Sequence, residues 1–193
     1  MKVLLVVDVQ NDFVTGALAN PEAQAKIPAI KEKIQQRLAE GWTVVFTKDT
    51  HYDNYSTTME GIYLPVPHCI EMSWGWELVD GIKEIEESQL NMTICKNRFG
   101  DEVILEHIGN NIPTNWKEAY PPEIEEIELI GFCTDICVVS NALILKASVS
   151  NETIISCDAS CCAGTSIEAH NAALKVMQSC QVDVINEQSD RNE

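Results

Sequence analysis

The chain has 193 residues, 30 acidic against 13 basic, for a formal net charge of −17; 45% are hydrophobic and 22% charged. That length makes one domain, able to bury roughly 70% of its unfolded surface without disulfides or metals, and the composition excludes disorder, collagen and coiled coil as whole-chain readings. So acidic a surface repels phosphate backbones and anionic lipid heads, which argues against nucleic-acid and membrane-surface roles and mildly against a highly anionic substrate.

In chain order, Lys2–Val7 is a continuous apolar run and reads as a buried parallel strand. Pro21–Glu40 carries Ile27, Ile30, Ile34 and Leu38 at helical spacing, and Gly41 ends that helix. Trp42–Thr47 is the second strand and Leu90–Cys95 the third, followed by a short helix over Asp101–Ile108. Ile127–Phe132 is the fourth strand, and Cys137–Ala147 is a helix apolar all round, hence buried. Glu152–Ser156 is the fifth strand. Thr165–Ser179 is a helix capped at Thr165 or Ser166, with Glu168 in its first turn, and Val182–Ile185 is a sixth, edge strand. This alternation predicts an α/β fold with three αβα layers: a six-stranded, mostly parallel sheet with helices on both faces. Residues 1–185 form the single domain and 186–193 a polar tail.

The first residues contain neither the long apolar core nor the cleavage site of a signal peptide, so the expectation is a cytoplasmic protein whose eight cysteines stay reduced. No Cys-x-x-Cys, G-x-G-x-x-G, P-loop or G-x-S-x-G motif is present, so no nucleotide cofactor and no serine hydrolase is expected.

Ligands in such sheets sit beyond the carboxyl ends of the strands. Asp8, Asp49/His51, Lys96 and 131–137 all fall there. Gly131–Val138 (GFCTDICV) turns from strand to helix, and capping by Thr134 or Asp135 puts Cys137 in the first helical turn. There the positive helix end lowers a thiol pKa and free N–H groups can hold an oxyanion. The same segment reads equally well as a small buried core thiol. Asp8 and Lys96 alter that balance: a carboxylate, an ammonium and a thiol at equivalent strand ends form an acid/base–cation–nucleophile set. Asp49-Thr50-His51 places two side chains on one side of an extended segment, with Glu60 and His68 further along. Imidazole and carboxylate suit Zn²⁺, Mn²⁺ or Fe²⁺, but by spacing alone these are better read as ordinary polar loop residues.

Taken together, these motifs resemble the isochorismatase-like cysteine hydrolases, the superfamily that includes nicotinamidases. The resemblance rests on Asp8-Val9-Gln10-Asn11-Asp12-Phe13, on Lys96-Asn97-Arg98-Phe99 and on Gly131 to Val138. It runs from the first strand to the last, with Asp158 and His170 where the family often has them. It implies a Rossmann-like fold, a triad of Asp8, Lys96 and Cys137, an oxyanion hole at the N–H groups of Cys133 and Cys137, and a cis peptide at Phe132–Cys133. It turns Asp49, His51, Glu60 and His68 into ligands of a divalent metal, zinc first, with manganese or iron open. Tyr55 stands where many members place a third histidine. Two departures bear on the substrate. Leu64 and Pro65 replace the family's ring-stacking aromatic, and Met72-Ser73 replaces its Gly-Thr; Phe13, Tyr55 and Trp74 are the candidates for the substrate pocket, with Tyr63 and Trp76 behind them.

The activity implied is hydrolysis of a small amide, nicotinamide foremost, through a thioester on Cys137. A second option is an N-carbamoyl or ureidoacrylate hydrolase of the same superfamily. An isochorismatase proper needs no such cysteine, so Cys137 counts against it. A redox or binding protein using cysteines 133, 137, 157, 161 and 162 ranks last. The partner expected is a small-molecule amide, and a homo-oligomer is left open.

Overall fold

The computed structural model describes residues 1–88, 93–111 and 124–187. Six strands make one sheet: β1 (Lys2–Val7), β2 (Thr43–Asp49), β3 (Thr93–Lys96), β4 (Glu126–Phe132), β5 (Ile154–Ala163) and β6 (Asp183–Ile185). Their order is β3-β2-β1-β4-β5-β6, and every neighbouring pair is parallel. The chain winds outward from β1 to β3, then returns to β4 on the other side of β1. The order therefore reverses between β1 and β4, which is where such sheets open a crevice.

β1 is apolar throughout because both its faces are covered. Val3, Leu5 and Val7 pack under α5 (Ile104–Asn111), α6 (Val139–Ser148) and α7 (Ile167–Ser179). Leu4 and Val6 pack on the opposite side against Ile30 and Ile34 of α2 (Pro21–Ala39) and against Leu78 and Ile82. Asn20 caps α2 by accepting the Glu22 N–H at 2.9 Å, and Gly41 leaves it at φ +81°. Three further helices interrupt the loops: α1 (Asn11–Val14), α3 (Met59–Tyr63) and α4 (Lys83–Ser88). At four to six residues they are too short to show a periodicity. Leu90–Met92 of the expected third strand and 188–193 of the expected tail lie outside the described residues. Among the described residues, no helix is long and apolar enough to cross a membrane.

The fifth strand is twice as long as its apolar run. It continues through Asp158–Ala163, with a bulge that slips the register between Leu129↔Cys157 and Gly131↔Cys162. The bulge turns Asp158 into a buried ion network. Lys33 Nζ lies 2.7 Å from Asp158 and 3.1 Å from Glu128, and Arg37 Nε lies 2.6 Å from Glu128. Both carboxylates are inaccessible to solvent. Asp158 thus belongs to the frame of the sheet. Burial works to raise its carboxyl, but Lys33, Ser160 and Asn186 outweigh it and hold the pKa below the ordinary value. A depressed carboxylate stabilises the fold above its unfolded pKa and ceases to as pH falls through the folded one. Asp158→Asn should therefore cost about 3 kcal/mol at pH 7. In urea titrations the gap between wild type and variant should be constant at neutral pH and close below about pH 4.

Candidate active site

Gly131 opens the loop after β4 at φ +119°, and a Cβ there would strike the Val7 carbonyl, so glycine alone lets β4 run this close to β1. A cis peptide, Phe132–Cys133, follows, as the resemblance implied. The chain then enters a π-helical turn, Thr134–Val138, whose first N–H groups return to the Cys133 carbonyl: Ile136 and Val138 both donate to it at 3.1 Å. Neither Thr134 nor Asp135 caps this turn. Thr134 Oγ1 pairs with His170 Nδ1 at 2.8 Å, and the Asp135 carboxylate accepts from the Thr165 N–H and hydroxyl at 2.8 and 2.6 Å. They tie the turn to α7 from outside. His170 therefore stands behind the turn that carries Cys137.

Cys137 is buried at the end of this turn, and Lys96 Nζ, from the end of β3, lies 3.6 Å from its sulfur. The same ammonium lies 2.5 Å from Asp8 Oδ2, while Asp8 Oδ1 accepts from Thr47 Oγ1 at 2.6 Å. Asp8 sits at φ +50°, which lifts its carboxylate off β1 and into this cluster. Burial raises the Asp8 carboxyl above the ordinary range, with Lys96 opposing. Burial also disfavours the Lys96 ammonium, but Asp8, Cys137 and Asp49 outweigh it and hold its pKa above the usual lysine value. Burial pushes the Cys137 thiol well up, with Lys96 pulling the other way. The expected fall in the thiol pKa is therefore corrected. The helix end and one ammonium do not offset full desolvation, so the thiol pKa moves up and not down.

Next to this cluster, Asp49, His51, Glu60 and His68 bring one donor atom each within 4.8 Å of one another. Asp49 Oδ2 is 3.0 Å from His51 Nε2 and 3.4 Å from His68 Nε2; Glu60 Oε1 is 3.5 and 3.7 Å from the same nitrogens. A tetrahedral ion with arms of about 2.0–2.1 Å needs edges of about 3.3–3.4 Å. His51 Nε2 is buried and makes no hydrogen bond despite its short approach to Asp49, so it is aimed past the carboxylate. His68 Nδ1 faces the Val66 carbonyl at 2.9 Å, which leaves Nε2 for the ion. Two carboxylates and two neutral imidazoles also balance a divalent charge. The residues fit such a metal.

Two polar side chains set this half of the site. Gln10 donates to the Asp49 and Trp76 carbonyls at 2.8 and 2.9 Å and accepts the Asp49 N–H at 2.8 Å. Asp12 accepts the Cys69 N–H at 2.7 Å, which fixes the residue after His68.

The isochorismatase domain family matches residues 2–189, essentially the whole chain. The chain belongs to the isochorismatase domain family. Relatives include the nicotinamidase/pyrazinamidase of Mycobacterium tuberculosis, 29% identical over 96% of this chain and 98% of its own length. The nicotinamidase of Saccharomyces cerevisiae is 27% identical over 74% of this chain and 80% of its own. In structure, the Bacillus subtilis nicotinamidase covers 95% of this chain and 98% of its own at 25% identity with a TM-score of 0.77. A Pyrococcus horikoshii pyrazinamidase in complex with zinc, 21% identical, covers 96% and 99% with a TM-score of 0.71.

In this isochorismatase-family chain a cavity of about 840 Å³ opens over Cys137, with Phe13, Asp49, Glu60, His68 and Cys133 in its inner wall. Of the aromatic candidates, only Phe13 and Tyr63 line it. Tyr55 is buried behind the four-donor cluster, its ring 4.8 Å from His51 and its hydroxyl donating to the Leu64 carbonyl at 2.8 Å. Trp74 lies at the surface, 61% exposed, and Trp76 is held outside by Thr50 Oγ1 at 2.8 Å. Three residues were not singled out from the sequence: Thr47, Gln10 as a clamp, and Asn141. Fully buried, Asn141 donates to the Cys137 and Phe99 carbonyls and accepts the Asp101 N–H, joining the nucleophile turn to the Lys96 loop. An asparagine inside a largely apolar helix is the available signal.

Proposed function

We propose that this chain is a cysteine amidase that cleaves the C–N bond of a small carboxamide, nicotinamide being the first candidate, with Cys137, Asp8 and Lys96 as its triad. The observation that carries the reading is one buried chain of contacts, Thr47–Asp8–Lys96–Cys137, opening into the same cavity as the four-donor cluster. Asp8 takes the thiol proton as sulfur attacks the carbonyl carbon. Lys96 and the N–H groups of Cys133 and Cys137 hold the oxygen as it gains charge. Asp8 returns the proton to the departing nitrogen, and ammonia leaves a thioester. Asp8 then takes a proton from water, whose oxygen attacks the thioester, and the proton ends on the thiol as the acid departs. The raised Asp8 carboxyl suits a group that must accept and release a proton in each half-reaction.

Asp49, His51, Glu60 and His68 would hold a divalent ion, zinc first given the zinc-bound Pyrococcus relative, with manganese and iron sharing the ligand preference. Bound, the ion supplies a Lewis acid to which a ring nitrogen can bind, orienting the amide toward Cys137. The reading includes a small-molecule substrate, no nucleic-acid or membrane partner, and a cytoplasmic location; all eight cysteines are free thiols, which suits a reducing compartment. The test is ammonia release from nicotinamide, with metal content measured on the same sample. Turnover with about one metal per chain supports the reading. Turnover of ureido substrates alone would move the chain to the ureido branch, and no hydrolysis of either class by metal-replete protein would overturn it.

A further inference from the structure

We infer that the outer half of the cavity is a specificity pocket for uncharged carboxamides carrying an apolar substituent larger than a single ring. The inference rests on the amidase reading and adds the class of substrate. The cavity measures about 840 Å³. That is near the top of the range for drug-sized ligands, about 300–1,000 Å³. A six-membered ring with one amide, seated between Cys137 and the donor cluster, fills a small part of it.

Beside the polar Asn20, Asn97, Arg98 and Thr165, the remaining wall carries the large apolar side chains Leu18, Met59, Tyr63, Leu64, Phe99 and Ile136. They come from three separate segments and the nucleophile turn, so the apolar character is not an accident of one helix. Several are uncovered: Met59 is 66%, Tyr63 83% and Phe99 48% exposed. On a chain of net charge −17, large apolar side chains gathered at one mouth mark a binding surface. Leu64 stands in this wall where a stacking aromatic was expected. Its backbone is pinned by the Tyr55 hydroxyl, so the wall does not depend on a free loop.

Charge chooses among large substrates. The charged side chains in the wall are Asp49 and Glu60, which belong to the metal ligands, and Arg98, largely exposed and paired with Glu102 at 3.4 Å. Nothing in the outer half offers a buried cation to a carboxylate. The acyl group that fits is neutral and apolar.

The experiment compares nicotinamide with its methyl, n-butyl and phenyl derivatives at ring positions 4, 5 and 6, using the metal-replete full chain. Ammonia release gives kcat and KM, and calorimetry on the Cys137→Ala variant gives affinity without turnover. Each methylene taken fully from water is worth about fourfold. The best butyl and phenyl isomers should therefore exceed nicotinamide by on the order of tenfold or more in kcat/KM. The gain should appear in KM, because the contact is remote from the reacting bond. The Kd series should follow it. Phe99→Ser should bring the ratio of phenyl to parent back toward one, a ratio that a general loss of folded enzyme would not change. If nicotinamide is turned over and every extended amide is equal or worse in both KM and Kd, the inference is overturned and the amidase reading stands. If no carboxamide is hydrolysed at all, the amidase reading fails and takes the inference with it.

Discussion

Cys137→Ala should lower amide turnover by about 10⁴-fold or more while leaving the urea midpoint within about 1 kcal/mol of wild type. The asymmetry follows from the geometry. The sulfur is the only atom among Asp8, Lys96 and Cys137 that can form the thioester, so nothing replaces it. The Asp8–Lys96 pair at 2.5 Å survives the substitution intact, and Thr47 still donates to Asp8, so no buried charge is orphaned. Losing one sulfur from a buried site costs a small cavity at most. Steady-state ammonia release and chemical denaturation on one preparation separate the two effects. Residual activity within tenfold of wild type would remove Cys137 as nucleophile.

His51→Ala should cut bound metal to below about a tenth of an equivalent and lower nicotinamide kcat/KM by on the order of 100-fold or more. Removing His51 leaves three of the four donors and takes away the imidazole that approaches Asp49 and Glu60 at 3.0 and 3.5 Å. In the wild type a ligand bound only to the folded chain raises its stability, by about 2.7 kcal/mol at one hundred times Kd. Added metal should therefore raise the melting temperature of the wild type but not of the variant. This thermal readout does not depend on turnover. An unchanged metal stoichiometry in His51→Ala would dismiss the four-donor reading.

Much of this was legible because parallel strands buried on both faces leave unbroken apolar runs. Lys2–Val7 could hardly be anything else, and the polar residues that end such runs, Asp8 and Lys96, stand out against them. β5 was read only to Ser156 because Asp158–Ala163 is small and mixed in character, and the bulge breaks any alternation. The metal ligands could not be singled out by spacing, since a loop brings distant residues together by tertiary contacts such as Gln10 on Asp49 and Asp12 on Cys69. The thiol pKa was misjudged for a related reason: a helix start is visible in sequence, whereas the depth at which it is buried is not. Side-chain direction, which a sequence does not show, separates the aromatic candidates. Tyr55 and Phe13 are both buried, yet only Phe13 faces the cavity.

Gln10 has one more implication. Its amide grips both the N–H and the carbonyl of Asp49, and it lies two residues from Asp8 on the same strand end. The carboxylate proposed to handle the thiol proton and the one that would meet the metal are thus held near one backbone clamp. Any coupling between binding at the two ends is reciprocal. A competitive inhibitor that tightens on metal loading must tighten the metal by the same factor, and a chelator titration with and without that inhibitor would read the coupling from either side.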